Sequence, residues 1–227
     1  MNLFNLEHVI KRVFGVLFNL KNEGVMKKLF GFFIMLLSVS VMAGDGDGKM
    51  GLGDKAALTN VKMLDVSGKK VSLEDVKKEN GVLVLFSCNT CPVVKQWEGR
   101  YPDIKNWADK NDVGMIVLNS NYQNFDGVDS FEEMKKHADE KGYNFPYVVD
   151  ENSQIANAFG GQTTPHAFLF NSEMELVYKG AIDDSYKSAD EVKKAYLKDA
   201  ITSLAKGEEI AVAETQPMGC SIKRKTN

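Results

Sequence analysis

The sequence predicts an α/β fold in which a mixed β-sheet carries helices on both faces. Three observations predict it. Two continuous apolar runs of strand-forming residues, 82–86 and 113–118, have the composition of strands buried on both faces of a sheet. Segments with helical spacing separate the strands, which favours parallel pairing. A final pair of strands after Pro165 reads as an antiparallel hairpin.

The first elements form a hairpin and a short helix. Residues 60–64 alternate between polar and apolar side chains as a strand does, a turn follows, and the chain extends again at 71–73. Ser72 is then placed to cap a short helix that continues to Lys78.

The central elements alternate between strands and helices. A helical pattern after the first apolar run reaches Trp107, and a bend is predicted at Tyr101–Pro102 because proline interrupts a helix. After the second run and a polar loop, another helix ends at Gly142. A short strand over 147–150 and a helix over 155–159 follow.

The last elements complete the sheet and cover it. Residues 167–170 and 175–178 form the hairpin, which ends at Gly180. One amphipathic helix is predicted over 189–205, with Gly207 ending it. Its inward face is expected to consist of Val192, Ala195, Tyr196, Ile201 and Leu204.

The first 43 residues differ in composition from the rest. The positively charged start Met26–Lys28 is followed by an almost wholly apolar run over 29–41 and by the small residue Ala43. This arrangement predicts a secretory signal peptide cleaved after Ala43, with an uncleaved N-terminal anchor as the alternative. Residues 1–25 precede a signal that begins at its own methionine, so they are either a long leading segment or the true start is Met26.

The chain is therefore expected to have four segments. Residues 1–43 are the extension and signal peptide, 44–55 a flexible lead-in, 56–206 the folded domain, and 207–227 a tail that carries Cys220. Export would place the protein in the periplasm or cell envelope, with membrane contact only through the signal segment if it stays uncleaved. The chain has a formal net charge of −3 and no basic stripe, which argues against nucleic acid as a partner.

The three cysteines, Cys88, Cys91 and Cys220, all follow the predicted signal. Export would bring them to a compartment where disulfides persist. Two of them are separated by only two residues, so the set predicts a reactive pair with one extra thiol and not a framework of structural bridges.

Cys88 and Cys91 lie where a buried strand gives way to a helix. The unpaired N–H groups of a helix's first turn would stabilise a thiolate at Cys88 and lower its pKa from about 8.5 towards 7. A thiolate is the attacking species in disulfide exchange. Cys91, one turn further on, is placed to attack the resulting mixed disulfide. Pro92 is tolerated there because its missing N–H would have no helical partner.

Two other uses of the pair stay open. Half a zinc site is one, but zinc needs four ligands, which Cys220, His166 and His137 would have to complete. A static disulfide is the other, but it would close a loop too short to stabilise the fold much. A covalent haem motif is excluded because Pro92 stands where a histidine is required.

Thr164–Pro165 is the second element of the expected site. A proline directly before a strand can take a cis peptide bond. The backbone of Thr164 would then be exposed to pair with an extended substrate. The alternative is a proline that simply begins a strand.

The run Phe86–Pro92, together with Thr164–Pro165, resembles the thioredoxin superfamily. The closer resemblance is to its redoxin branch, which includes thioredoxin-like proteins near the peroxiredoxins. The resemblance implies a thioredoxin-like fold, Cys88 as nucleophile, Cys91 as resolving thiol and cis Pro165 beside them. It implies no cofactor beyond the redox-active disulfide, and as partners protein thiols or disulfides with an upstream electron donor or acceptor. The segments that resemble this branch are 119–121, 126–138, 145–147, 180–184 and 217–223.

Around the cysteine pair, the sequence differs from both thioredoxin and the peroxiredoxins. Thioredoxin carries Trp before its two cysteines and Gly-Pro between them, whereas Ser87 and Asn89–Thr90 stand here, which leaves the direction of electron flow open. Peroxiredoxins place Thr or Ser three residues before the peroxidatic cysteine and a proline upstream, whereas Leu85 and Gly81 stand here. The departures favour exchange with protein disulfides. A thiol peroxidase is the first alternative, and a metal-binding or copper-delivering assembly factor is the second.

Three further residues are candidate accessories to the pair. Cys220 is either a third redox thiol that docks on the pair or an incidental thiol of the tail. Lys95 and Glu98 lie one and two turns after the pair, where they could adjust thiol pKa values or could be solvated surface charges.

Overall fold

The structure is a computed structural model that describes residues 49–225. The predicted signal peptide and most of the predicted lead-in lie outside the described residues. Among the helices of residues 49–225, none is long and apolar enough to cross a membrane.

Most of the strands in the described residues belong to one seven-stranded mixed sheet. Its order is β2-β1-β5-β4-β3-β7-β8, and β6 and β9 form a separate two-stranded sheet. In the centre β3, β4 and β5 are parallel, while β7 and β8 are antiparallel to their neighbours. The strands are β1 (Met63–Asp65), β2 (Lys70–Val71), β3 (Gly81–Ser87), β4 (Val113–Asn119), β5 (Tyr147–Val149), β6 (Thr163–Thr164), β7 (His166–Phe170), β8 (Leu176–Gly180) and β9 (Cys220–Ser221).

Helices cover both faces of this sheet, so the predicted α/β architecture is confirmed. Every residue of β3 and β4 is buried, as their continuous apolar composition predicted. Leu83 and Leu85 of β3 pack on one face, while Val84 and Phe86 pack on the other. The helices are α1 (Leu73–Val76), α2 (Pro92–Trp97), α3 (Tyr101–Lys110), α4 (Phe131–Lys141), α5 (Gln154–Phe159) and α6 (Tyr196–Lys206).

The helix that follows the cysteine pair is interrupted, as the sequence predicted. A 3-10 turn over Glu98–Arg100 separates α2 from α3. Pro102 lies in the first turn of α3, where its missing N–H costs no helical hydrogen bond.

The prediction of one helix over 189–205 is wrong in its first half. A 3-10 turn over Ala189–Glu191 comes first, and α6 begins only at Tyr196. The segment between them bonds to Asp184 instead: the backbone N of Lys193 donates to the Asp184 carboxylate, and Asp184 N donates to Lys194 O. The fully buried residues of α6 are Leu197, Ala200 and Ile201, so only Ile201 of the predicted face is fully buried.

The end of the predicted flexible lead-in is bonded to the sheet. Met50 is buried, Gly53 N donates to Leu176 O, and Lys55 forms a bridge with Glu175. Residues 50–55 therefore extend the edge of the sheet beside β8 and do not form a free linker.

Candidate active site

The cysteine pair lies at the junction that the sequence predicted. Cys88 follows the last residue of β3, Cys91 is the N-cap of α2, and Pro92 is its first residue. All three cysteines are free thiols in this structure. Cys88 is 3% exposed and Cys91 is 5% exposed, so the pair is covered by other parts of the chain.

Thr164 contacts both sulfur atoms of the pair. The peptide bond between Thr164 and Pro165 is cis, as predicted. The Thr164 hydroxyl lies 3.3 Å from Cys88 Sγ, and the Thr164 carbonyl oxygen lies 3.3 Å from Cys91 Sγ. One buried residue beside Pro165 therefore holds the two thiols in a common environment.

The backbone of Thr164 is not free, contrary to the expectation that it would be open to a substrate. Strand β9 pairs antiparallel with β6, with Cys220 opposite Thr164 and Ser221 opposite Thr163. The chain's own C-terminal segment therefore occupies this edge and covers the cysteine pair.

This segment, which we call the strap (residues 216–221), is held at both of its ends. On one side, Thr215 N donates to Lys179 O. On the other side, Ile222 is buried in the core and its N–H donates to Gln162 O. The predicted tail is thus bonded to the domain on both sides of the strap.

Gly219 allows the strap to approach the cis-proline loop. A Cβ atom built at Gly219 would overlap the carbonyl group of Thr164. Any other residue would therefore push the strap away from the backbone that flanks Pro165.

The three thiols influence one another's pKa values, and Cys91 is the one that is influenced by both of the others. Hydrogen bonds from the Cys88 thiol, the Cys220 thiol and the backbone N–H groups of Val94 and Cys220 outweigh burial and lower the pKa of Cys91 to about 4. The Thr164 carbonyl acts in the opposite direction, since it accepts a hydrogen bond only from a protonated Cys91. The donors outnumber this acceptor, so we place the thiolate on Cys91.

The surroundings of Cys88 act against the low pKa that the helix terminus alone would give it. The hydrogen bond to Cys91 holds the proton on Cys88 and raises its pKa, and burial and the nearby Asp129 carboxylate add to the effect. Burial and the Cys91 sulfur also raise the pKa of Cys220. The helix terminus that the sequence shows is therefore one influence on Cys88, and the proton shared with Cys91 is another.

Asp129 organises the loop beside Cys88 and was missed by the sequence argument. It is fully buried, and its carboxylate accepts a hydrogen bond from the backbone N of Asn89 at 2.9 Å. The Asn89 side chain is held in turn by the hydroxyl of Tyr147 at 2.8 Å. An acidic residue after an asparagine-rich loop was the available signal. The other donors to Asp129 are the side-chain amides of Asn119, Asn121 and Asn124.

Glu98 and Lys95 occupy different environments. Glu98 is only 2% exposed, so its interpretation as a solvated surface charge is wrong. His137 lies 2.9 Å and Lys141 2.6 Å from its two carboxylate oxygens. Burial raises the pKa of Glu98, but these two partners outweigh burial and the net pKa is lowered. Lys95 is exposed on α2.

His166 is buried beside the cis-proline but serves the packing there. Its ring lies 4.5 Å from that of Phe168, and its Nδ1 accepts a hydrogen bond from Gln162 N. Burial, with the charge of Lys179, lowers its pKa to about 3. Within residues 49–225, no group of three or more His, Cys, Asp or Glu side chains is arranged to hold a metal ion.

Two solved structures are similar to this chain over most of their length. An uncharacterized conserved protein from Geobacillus kaustophilus is 33% identical, and the match covers 78% of this chain and 94% of that one with a TM-score of 0.72. A hypothetical protein from Sinorhizobium meliloti 1021 is 28% identical, and its match covers 79% and 97% with a TM-score of 0.71.

Two further comparisons concern the sequence. The thiol-disulfide oxidoreductase ResA of Bacillus subtilis (strain 168) is 28% identical over 131 residues, which are 57% of this chain and 68% of ResA. The sequence profile of the AhpC/TSA family matches residues 52–179, more than half of the chain and the whole stretch from the lead-in to β8. The chain belongs to the AhpC/TSA family, within the redoxin branch of the thioredoxin superfamily.

Proposed function

We propose that this protein is an exported thiol-disulfide oxidoreductase that uses Cys88 and Cys91 on protein thiols and disulfides. One observation carries the proposal: Thr164, next to the cis Pro165, contacts both sulfur atoms at 3.3 Å. This arrangement brings two thiols together at the end of a buried strand, where one can attack and the other can resolve.

The chemistry needs only the two cysteines and a partner. In the reducing direction, Cys88 as thiolate attacks a partner disulfide and releases one partner sulfur as a thiolate. Cys91 then attacks Cys88, forms the Cys88–Cys91 disulfide and releases the second partner sulfur. Two electrons pass to the partner, and an upstream donor must restore the dithiol. The oxidising direction is the reverse and needs an upstream acceptor.

Thr164 and Pro165 have positioning roles in this proposal. Thr164 holds both sulfurs, and Pro165 shapes the loop that faces them. In the reduced, covered arrangement the hydrogen bond to Cys91 holds the proton on Cys88 and the strap covers both sulfurs, so we expect attack by Cys88 to require displacement of the strap. Lys95 and Glu98 lie outside the reacting group, because Lys95 is exposed and the Glu98 carboxylate is paired with His137 and Lys141.

Two further observations support the proposal. The similarity to a relative named thiol-disulfide oxidoreductase supports the reaction type. The charged start, apolar run and Ala43 of the N-terminal segment support export to the periplasm or cell envelope, where a disulfide can persist.

The test measures thiol-disulfide exchange in both directions, as reduction of a partner and as oxidation of a partner. Reduced protein is mixed with disulfide-bonded insulin, and oxidised protein is mixed with a reduced test peptide. Wild type should exchange in at least one direction, and Cys88→Ser should do so in neither. Peroxide consumption is measured in parallel. Consumption much faster than that of a free thiol, without disulfide exchange, would support the thiol-peroxidase alternative and overturn the proposal. Metal analysis of the reduced protein tests the copper-binding alternative.

A further inference from the structure

We propose that Cys220 is a third redox-active thiol, which exchanges with Cys91 so that the chain forms either a Cys88–Cys91 or a Cys91–Cys220 disulfide. The inference rests on the proposed function, since it adds a step to the same dithiol chemistry.

The backbone places Cys220 where a substrate cysteine would lie. Cys220 is opposite Thr164 in the antiparallel pair of β9 and β6. Thr164 is also the residue that contacts Cys88 and Cys91. An extended peptide that paired with this edge would present its cysteine at the same position. The strap is therefore an internal counterpart of a cysteine-containing substrate strand.

Packing places Cys220 at the pair, and its effect on Cys91 identifies Cys91 as the partner. Cys220 packs against the cluster of Cys88, Cys91 and Val94, and its thiol and backbone N–H lower the pKa of Cys91. Exposure differs among the three thiols, because Cys220 is half-buried whereas the other two are nearly inaccessible. Cys220 is thus the thiol through which an external partner can reach the covered pair.

Specific contacts with the rest of the domain fix the position of the strap. Gly219 is the residue whose lack of a side chain permits close approach to Thr164, and Thr215 and Ile222 bond to the domain on the two sides. The residue next to the close approach is Cys220 itself. These contacts fix the third thiol at the pair and distinguish it from a cysteine on a free tail.

The exchange balances without an added oxidant or reductant. Starting from the Cys88–Cys91 disulfide, the Cys220 thiolate attacks Cys91 Sγ. A Cys91–Cys220 bond forms, the Cys88–Cys91 bond breaks, and Cys88 leaves as a thiolate that takes up the proton lost by Cys220. The disulfide thereby moves from a covered position to one that includes a half-buried sulfur, and the partner protein's thiolate can then attack at Cys220.

The test maps disulfides in Cys88→Ser, which leaves Cys91 and Cys220 as the only thiols of the chain. The reduced variant is oxidised briefly with diamide, free thiols are blocked with N-ethylmaleimide, and peptides are identified by mass spectrometry. We expect an intramolecular Cys91–Cys220 disulfide in a monomer. In Cys91→Ser, the same treatment should leave Cys88 and Cys220 mostly blocked by N-ethylmaleimide. Two blocked thiols in Cys88→Ser, or cross-links only between chains, would overturn the inference.

A second variant tests the strap without removing the two thiols. Gly219→Ala in the Cys88→Ser background should form the Cys91–Cys220 disulfide several-fold more slowly, because the added Cβ displaces the strap from Thr164. The matched control is Gly99→Ala, since a Cβ at Gly99 meets no atom within 4 Å. Equal rates in the two variants would count against the inference. Circular dichroism checks that both are folded.

Failure of this inference can be told apart from failure of the proposed function. The wild-type chain is mapped in the same experiment. A Cys88–Cys91 disulfide in wild type with no Cys91–Cys220 disulfide in Cys88→Ser would remove the third thiol and leave the proposed function standing. A wild-type chain that forms neither a Cys88–Cys91 nor a Cys91–Cys220 disulfide would overturn the proposed function itself.

Discussion

Cys220 lies opposite Thr164 in an antiparallel pair, so the C-terminal segment of the chain covers the edge that flanks both active-site sulfurs. The cover has a chemical consequence, because reagents reach Cys88 and Cys91 only when the strap moves away. We expect iodoacetamide to modify both cysteines slowly in the reduced wild type. Gly219→Ala should accelerate the modification of Cys88 several-fold, as measured by mass spectrometry over time. A rate equal to that of Gly99→Ala would show that the strap does not limit access.

The acidity of Cys91 predicts a thiolate at neutral pH. Ultraviolet absorbance of the thiolate in the reduced protein should disappear as the pH falls through about 4, the pKa of Cys91. Cys91→Ser should lose this transition, whereas Cys220→Ala should shift it upwards because one hydrogen-bond donor to Cys91 is removed. A transition that persists in Cys91→Ser would assign the thiolate to another residue.

The same group predicts how the stability of the reduced form depends on pH. The pKa of Cys91 is lower in the folded than in the unfolded chain, where it is about 8.5. Its contribution to the free energy of unfolding is therefore fully present above pH of about 8.5 and is lost as the pH falls through about 4. Denaturation of reduced wild type and reduced Cys91→Ser should show a difference in stability that shrinks with acid over this range. The oxidised form should lack this dependence.

Glu98 is a buried carboxylate whose two oxygens are held by His137 and by the charged amine of Lys141. Glu98→Gln removes the carboxylate charge that pairs with Lys141 and contacts His137, so it should lower the free energy of unfolding at neutral pH by roughly 2–4 kcal/mol. Because the pKa of Glu98 is lowered in the fold, the loss should diminish as the pH falls through that pKa. Urea denaturation at several pH values measures it. Glu140→Gln, an exposed change on the same helix as His137, is the control. A similar loss in the control would contradict the assignment.

Asp129 is expected to fix the loop between the two cysteines. Asp129→Asn replaces a carboxylate oxygen by an amide donor that faces other donors, which should cost about 2 kcal/mol or more of stability. Removal of its negative charge should also lower the pKa of Cys88. Urea denaturation measures the first effect and thiol titration the second. Asp126→Asn, at an exposed position of the same loop, should change neither.

The sequence predicted those features that depend on local pattern. Continuous apolar runs identified β3 and β4, and Pro102 marked the interruption between α2 and α3. The cysteine pair was placed correctly because a strand-to-helix junction is visible in a short segment. The local sequence left open whether Pro165 follows a cis peptide bond or simply begins a strand, and the family resemblance implied the cis bond that the structure has.

What the sequence did not predict depends on contacts between distant segments. The strap's pairing with Thr164 joins positions far apart in the chain, and no local pattern fixes such a register. The same holds for Glu98, whose partners His137 and Lys141 lie on another helix. The raised pKa of Cys88 and the lowered pKa of Cys91 likewise depend on neighbouring thiols, one of them the distant Cys220.

Trapping the mixed disulfide is the most direct test of whether Cys88 and Cys91 exchange with protein disulfides. Cys91→Ser and Cys88→Ser are each prepared in a Cys220→Ser background, reduced, and mixed with disulfide-bonded insulin. Non-reducing electrophoresis and mass spectrometry then identify the cysteine that holds the partner. We expect a stable covalent complex through Cys88 in the first variant and little complex in the second. A complex formed only through Cys91 would reverse the roles of the two cysteines, and no complex in either variant would contradict the proposed exchange.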